Sequence, residues 1–212
     1  MKLMKNKVVV FIIFLISSHL AGITNQELYQ ELILKYNNIE TFQADIQQTS
    51  YYSEIDYTNV SVGRIYHNPE KIHIDYNSPK IEKISLSDNV VKIYQAEADR
   101  LIITYADSTF ASLNIKFLIE RIWNNETVSL TENDTLYLIN IVMTEQKSFA
   151  NIRNIEFTID KKTMLVQKVK YQDNLANEVE VTFSNILLNR PLPDEIWNIE
   201  LTDTTQIIDY RE

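Results

Sequence analysis

The chain has 212 residues, 20 Lys and Arg against 29 Asp and Glu, a net charge of −9 and no cysteine. Disulfides and thiol chemistry are thereby excluded, and the acidic balance argues against nucleic acid and anionic lipid surfaces as partners. Only two glycines occur, Gly22 and Gly63, so turns must draw left-handed residues from Asn and Asp, which tolerate that conformation better than other types. The pairs Asn37-Asn38, Asp88-Asn89, Asn124-Asn125, Asn133-Asp134 and Asp173-Asn174 are expected to serve.

The first segment has three parts. Lys2, Lys5 and Lys7 are followed by an unbroken apolar run from Val8 to Ile16 and then by the small residues Ser17, Ser18, Ala21 and Gly22. This is the layout of a secretory signal peptide, and the run is far below the ~20 residues a membrane span needs. Residues 1–22 are expected to be a cleaved leader and 23–212 one domain, a size that supports a good core. Losing the three leader lysines leaves 17 of the 20 basic residues against 29 acidic ones, a net charge near −12. With no cysteine at the cleavage point, the mature chain is expected to carry no lipid anchor and to be soluble.

Thr24-Asn-Gln-Glu27 is a capping box. Leu28, Leu32 and Tyr36 follow at helical spacing and predict an amphipathic helix of about three turns. The period then changes to two. Phe42, Ala44 and Ile46 alternate with polar residues, Val62 to His67 is a strand candidate, and Ile72, Ile74 and Tyr76 alternate after the turn Asn68-Pro69-Glu70. Ile84 and Leu86 lead to the turn Asp88-Asn89. Val91 to Tyr94 and Leu101 to Tyr105 continue. Ser108 to Trp123 breaks the pattern: Phe110, Leu113, Phe117 and Ile122, with Leu118 close by, predict a second helix. Strands resume at Val128 to Leu130 and Leu136 to Met143. Ile155, Phe157 and Ile159 then alternate, as do Leu165, Val169 and Tyr171, and finally Val179, Val181 and Phe183. Ten or eleven short strands with frequent hairpin turns mean an antiparallel sheet, open or closed. Only the two helices are at hand to cover its apolar face.

Residues for catalysis are sparse. His73 and Asp75 share a strand face, but a metal site needs at least three ligands and no third is evident, so none is expected. A triad would need a histidine near a serine and an acid; the histidines outside the leader, His67 and His73, sit in polar strand positions beside Asn68 and Lys71 and are expected to be solvated. Glu178 and Glu180 share a face that alternates with Val179 and Val181 and is expected to meet solvent rather than a sugar groove. No cofactor and no enzymatic activity are expected.

Several stretches resemble one family in order along the chain. Ile39-Glu-Thr-Phe-Gln-Ala-Asp-Ile-Gln-Gln48 resembles its opening pattern. Gly63-Arg-Ile-Tyr-His-Asn-Pro69, Ile72-His-Ile-Asp-Tyr76 and Pro79 resemble its second block. Ile84-Ser-Leu-Ser-Asp-Asn89, Tyr94-Gln-Ala-Glu97 and Phe183-Ser-Asn-Ile-Leu-Leu-Asn189, with Pro191, Leu192, Pro193, Asp194 and Trp197, resemble the rest. The family is that of the periplasmic outer-membrane lipoprotein carriers, the LolA family. The chain departs from it at Asn68, where an arginine tied to lid closure is usual. Other departures are Asn89 in place of a turn glycine, Lys92 near an expected aromatic, and Ile46 in place of a phenylalanine.

The resemblance implies a mainly β (α+β) fold: an open, curved antiparallel sheet of about 11 strands, an incomplete barrel covered by lid helices. It implies a monomeric periplasmic chaperone that shields the acyl chains of lipoproteins. Its implied partners are acylated lipoproteins, an inner-membrane ABC-type lipoprotein-releasing complex and an outer-membrane acceptor lipoprotein. On that reading the cavity wall is Ile46, Ile65, Ile72, Ile74, Tyr76, Leu86, Ile155, Phe157, Ile159, Val181 and Phe183, and the cover is Phe110, Leu113, Phe117 and Leu118. Period-two alternation by itself specifies only a face, so each is first an ordinary core candidate; about half are expected to border the cavity. The alternative functions are a periplasmic lipid- or lipoprotein-sensing regulator with the same fold, which would hold a stable partner, and a secreted hydrolase.

Overall fold

The computed structural model describes residues 22–106, 115–123, 127–143 and 152–211, with the backbone alone at Phe117, Arg121 and Ile122. Of the expected leader it includes only Gly22, and Phe110 and Leu113 lie outside the described residues.

The first helix, α1 (Asn25–Asn37), begins at the predicted capping box. The Thr24 hydroxyl accepts from the Glu27 N–H at 3.2 Å, and the Glu27 carboxylate accepts from the Thr24 N–H at 2.9 Å. Together they satisfy two of the amides that a helix start leaves open. Leu28, Leu32 and Tyr36 form its buried stripe. Tyr36 also anchors the far end, its hydroxyl accepting from the Val166 N–H at 3.0 Å.

Twelve strands follow: β1 (Phe42–Tyr52), β2 (Tyr57–His67), β3 (Lys71–Ser78), β4 (Glu82–Ser87), β5 (Val90–Gln95), β6 (Arg100–Tyr105), β7 (Thr127–Glu132), β8 (Leu136–Val142), β9 (Ile152–Asp160), β10 (Leu165–Asp173), β11 (Glu178–Leu188) and β12 (Gln206–Asp209). The second helix, α2 (Ile115–Ile122), lies between β6 and β7. All strands join one sheet in the order β12-β6-β5-β4-β3-β2-β1-β11-β10-β9-β8-β7. Among the described residues the two end strands do not pair, so the sheet is open, as the resemblance implied, with twelve strands where the patterning indicated ten or eleven. Among the described strands only β12 pairs in parallel, on β6.

Register places the apolar sets on one face, because side chains one pairing apart point the same way. Ile84, Ile74, Ile65 and Ala44 form one rung across β4 to β1. Gln48, Val181, Val169, Phe157, Ile139 and Leu130 form another from β1 to β7. Register shifts on the β1–β11, β2–β3 and β9–β10 pairs bend the strands and curve the sheet. At the β2–β3 shift the backbones approach so closely that a Cβ on Gly63 would overlap the Asp75 carbonyl. Both helices pack on the apolar face, and Tyr29 of α1 meets Trp123, just after α2, at 5.8 Å between ring centres.

Turn chemistry follows the expectation in part. Asp88 and Asn89 are left-handed, with φ of 50° and 62°. Asn133 and Asp173 act through their side chains instead: Asn133 Oδ1 accepts from the amides of Thr135 and Leu136, and Asp173 Oδ1 from those of Leu175 and Asn177. The left-handed residues near the last turns are Met164 and Ala176.

The opposite face carries two corrections. His73 projects away from the apolar face yet is only 1% exposed, and Leu101 on the same side is 5% exposed. Residues 189–205 run from β11 at mid-sheet to β12 beyond β6, and so cross this outer face as a strap. Trp197 of the strap faces Lys71 Nζ at 5.9 Å, and Asp99 accepts hydrogen bonds from the hydroxyls of Thr202, Thr204 and Thr205 at 2.7–2.9 Å. His73 is therefore not a solvated residue. Its Nε2 lies 2.9 Å from Asp75 Oδ1, a hydrogen-bonded pair rather than a chelating one. His67 is the second correction: it lines a cavity.

Candidate functional site

The apolar face and the helices enclose a cavity of about 290 Å³ at the end of the sheet where α1 finishes. Tyr36, Asn37 and Ile39 bound it from α1 and the link that follows; Phe42, Ile65, His67 and Pro69 form its floor; Ile115, Lys116 and Glu120 of α2 form its roof. A smaller space of about 40 Å³ lies further along β1, lined by Ile46, Gln48, Ile74, Tyr76, Val169, Tyr171, Val181 and Phe183. Ile65 and Ile115 line both.

The fifteen residues chosen from sequence divide three ways. Ile46, Ile65, Ile74, Tyr76, Val181 and Phe183 border one space or the other. Ile72, Leu118, Ile155, Phe157 and Ile159 are fully packed, and Leu86 packs partly exposed against the same core. Phe110 and Leu113 fall outside the described residues, and the Phe117 side chain is not described.

Sequence reasoning missed most of the mouth. Tyr36 and Phe42 read as core, and Ile115 did not stand out from the irregular stretch before α2. His67 read as solvated surface, and Lys116 and Glu120 were not singled out. The signal that existed was position: His67 ends β2 directly before the Asn68-Pro69 turn and shares a face with Phe42 and Ile72. Asn68 stands where the family's arginine is usual, and its Oδ1 accepts from the amides of Glu70 and Lys71, closing the β2–β3 turn.

The deep and shallow ends differ electrostatically. At the deep end polar groups satisfy one another: the Tyr76 hydroxyl donates to Gln48 Oε1 at 2.7 Å, and Gln48 Nε2 donates to Ser50 Oγ at 3.1 Å. Burial pushes the Tyr76 hydroxyl well above its ordinary range, helped by Glu82 and Tyr171, so it remains a neutral donor. At the mouth, burial and then the Lys116 charge hold His67 below its ordinary range. Lys116 Nζ lies 3.8 Å from Glu120 Oε1, with the side chains 40% and 45% exposed. Such a long, wet pair is worth little. Among the described residues, no group of three or more His, Asp or Glu is placed to hold a metal ion, and no helix is long and apolar enough to cross a membrane.

An open, curved antiparallel sheet with two helices over its apolar face defines the LolA-like half-barrel class. The family model of the outer membrane lipoprotein carrier protein LolA matches residues 37–200, and the chain belongs to that family. No curated protein matches the chain. Among solved structures, an uncharacterized conserved protein from Thermus thermophilus is 11% identical with a TM-score of 0.56, over 85% of this chain and 98% of that one. A chain of the MucA/MucB complex from Pseudomonas aeruginosa is 12% identical with a TM-score of 0.52, over 83% of this chain and 61% of that one. A LolA superfamily protein from Nitrosomonas europaea is 9% identical with a TM-score of 0.44, over 84% of this chain and 99% of that one. For the first two, at these identities, the likeness is one of fold.

Proposed function

We propose that residues 1–22 direct export to the periplasm, and that residues 23–212 hold the acyl chains of lipoproteins between the sheet and the α1–α2 pair. On this reading the protein takes them from an inner-membrane ABC-type releasing complex, carries them through the periplasm as a monomer and delivers them to an outer-membrane acceptor. The observation that carries the reading is the cavity itself. Phe42 and Ile65 of β1 and β2 give it an apolar floor that continues, in the smaller adjoining space, across β3, β10 and β11, and its roof is a short helix rather than sheet. An acyl chain offers no polar group, and each methylene buried contributes about 0.8 kcal/mol in gross terms, so a dry wall is what such cargo requires. The enclosed volume lies at the low end of the ~300–1,000 Å³ typical of ligand sites. Several chains therefore require α1 and α2 to lift.

The test is release. Inner-membrane vesicles carrying the ABC-type complex and a palmitate-labelled lipoprotein are incubated with the mature chain. A soluble one-to-one complex by native mass spectrometry is expected. Ile65→Trp, which fills the volume shared by both spaces, is expected to abolish it while the protein stays folded. The MucA/MucB chain of similar fold favours a second reading, in which the chain binds lipid or lipoprotein and signals through a protein partner. That reading predicts a stable partner complex and no release into solution.

A further inference from the structure

We infer that the cavity mouth selects an anionic head group, so that the closed form takes a single-chain amphiphile whose tail lies along Ile65 and Ile115 and whose carboxylate or phosphate sits between Lys116 and His67. This rests on the acyl-binding reading and assigns a direction to the ligand. Three observations converge on it.

The first is size. A volume of about 290 Å³ exceeds by far the ~10–15 Å³ that one water needs, yet stands at the bottom of the ligand-site range. It fits one chain without lifting the helices.

The second is the division of polarity. Tyr76, Gln48 and Ser50 at the deep end already pair among themselves, so a head group placed there would have to break those bonds. The lining at the mouth instead carries a lysine and an imidazole on facing walls, one from α2 and one from β2.

The third is Glu120. Lys116 has an internal carboxylate four residues on, held only at 3.8 Å and half in water. Glu120 thus stands where a ligand's anion would compete, and it is easily displaced. A ligand carboxylate there pairs with Lys116 and also accepts from the His67 ring, two charge-assisted contacts in place of the single long Lys116–Glu120 pair. At the β2–β3 turn, Glu70 and Lys71 do not line the cavity, and Lys71 Nζ lies over the Trp197 ring on the outer face.

The experiment is calorimetric binding of dodecanoate, dodecyl phosphate and dodecanol to the full mature chain at pH 7, with K116Q and E120Q. An anionic probe is expected to bind roughly three- to tenfold tighter than dodecanol. K116Q is expected to erase that preference and E120Q to widen it. Preference for dodecanoate over dodecyl phosphate assigns a carboxylate source, and the reverse a phosphate source; either upholds the inference. Equal binding of all three probes, or a preference that K116Q leaves intact, overturns it while leaving the acyl-binding reading standing. If none of the probes binds, the acyl-binding reading fails as well. Both substituted residues are half-exposed, and unchanged melting curves exclude a folding effect.

Discussion

Asn189 stands in a left-handed conformation, φ 53°, where β11 leaves the sheet. Its Oδ1 accepts from the Glu40 amide at 2.8 Å and its Nδ2 donates to the Asn38 carbonyl at 3.1 Å, so it ties the link after α1 to the start of the strap. Asn189→Ala removes both bonds and places a less tolerant residue at positive φ. A loss of about 1–3 kcal/mol in urea unfolding is expected. The residue was legible as part of the family-like ending, but its task was not, because its partners are about 150 positions away in sequence. The histidines show the same limit. Alternation correctly placed His73 opposite Ile72 and Ile74. It said nothing of what lies over that outer face, where the ring is nonetheless buried. Alternation also puts His67 on the inner face, but the expectation of solvent overlooked that a strand end can open into a cavity.

The helices were the most legible elements. The capping box fixed the start of α1, and its spacing fixed the buried stripe. For α2 the apolar spacing gave a helix, and Ile115–Ile122 lies inside the predicted Ser108 to Trp123 stretch. The strap and β12 were not legible: β12 is four residues long and finds its parallel partner β6 about 100 residues earlier, a pairing local patterning does not encode. Asp99 clamps it through Thr205, Thr204 and Thr202. Asp99→Ala is expected to raise hydrogen exchange of the Ile208 and Tyr210 amides by roughly an order of magnitude while β1 and β11 stay protected; uniform exchange across the sheet would refute a separate clamp. For the helix pair, Trp123 is buried against Tyr29. In a Trp197→Phe background, a triacylated lipopeptide is expected to shift Trp123 emission to the red as α2 lifts. Unchanged emission with the lipopeptide bound would show that the helices stay down.

At the scale of the molecule, pH acts from both sides. Hydrogen bonds from Thr24 hold Glu27 below its usual range. Asn185 and Arg64 do so for Asp45, Thr205 and Thr204 for Asp99, Thr163 for Asp160, and Arg211 brings Asp209 down to about 2. A carboxylate with a depressed folded pKa stabilises above its unfolded value of about 4 and loses that stabilisation as pH falls through the folded value. His67, held neutral by burial, acts in the same direction from about pH 6.5 downward. Burial raises Tyr36 to about 12, so its stabilisation is intact below pH 10 and is lost as pH rises toward 12. Melting temperature against pH should therefore fall below about pH 4 and again above about pH 10, with Tyr36→Phe blunting the alkaline limb. The antiparallel sheet, its apolar face and its two covering helices were legible in sequence, because period, turns and caps are local; that the sheet is open came only from the family resemblance, since patterning left it open or closed. The cavity was only partly legible. It exists where packing stops, between residues that look like core in every local respect.

The central claim is that acyl chains lie against the inner face of the sheet. A benzophenone amino acid is placed at Val181, which borders the inner space, or at Lys92, exposed on the opposite face, and irradiated in cells labelled with palmitate. The account predicts labelled adducts from Val181 and none from Lys92. Equal labelling at both sites, or adducts from Lys92 alone, would contradict it.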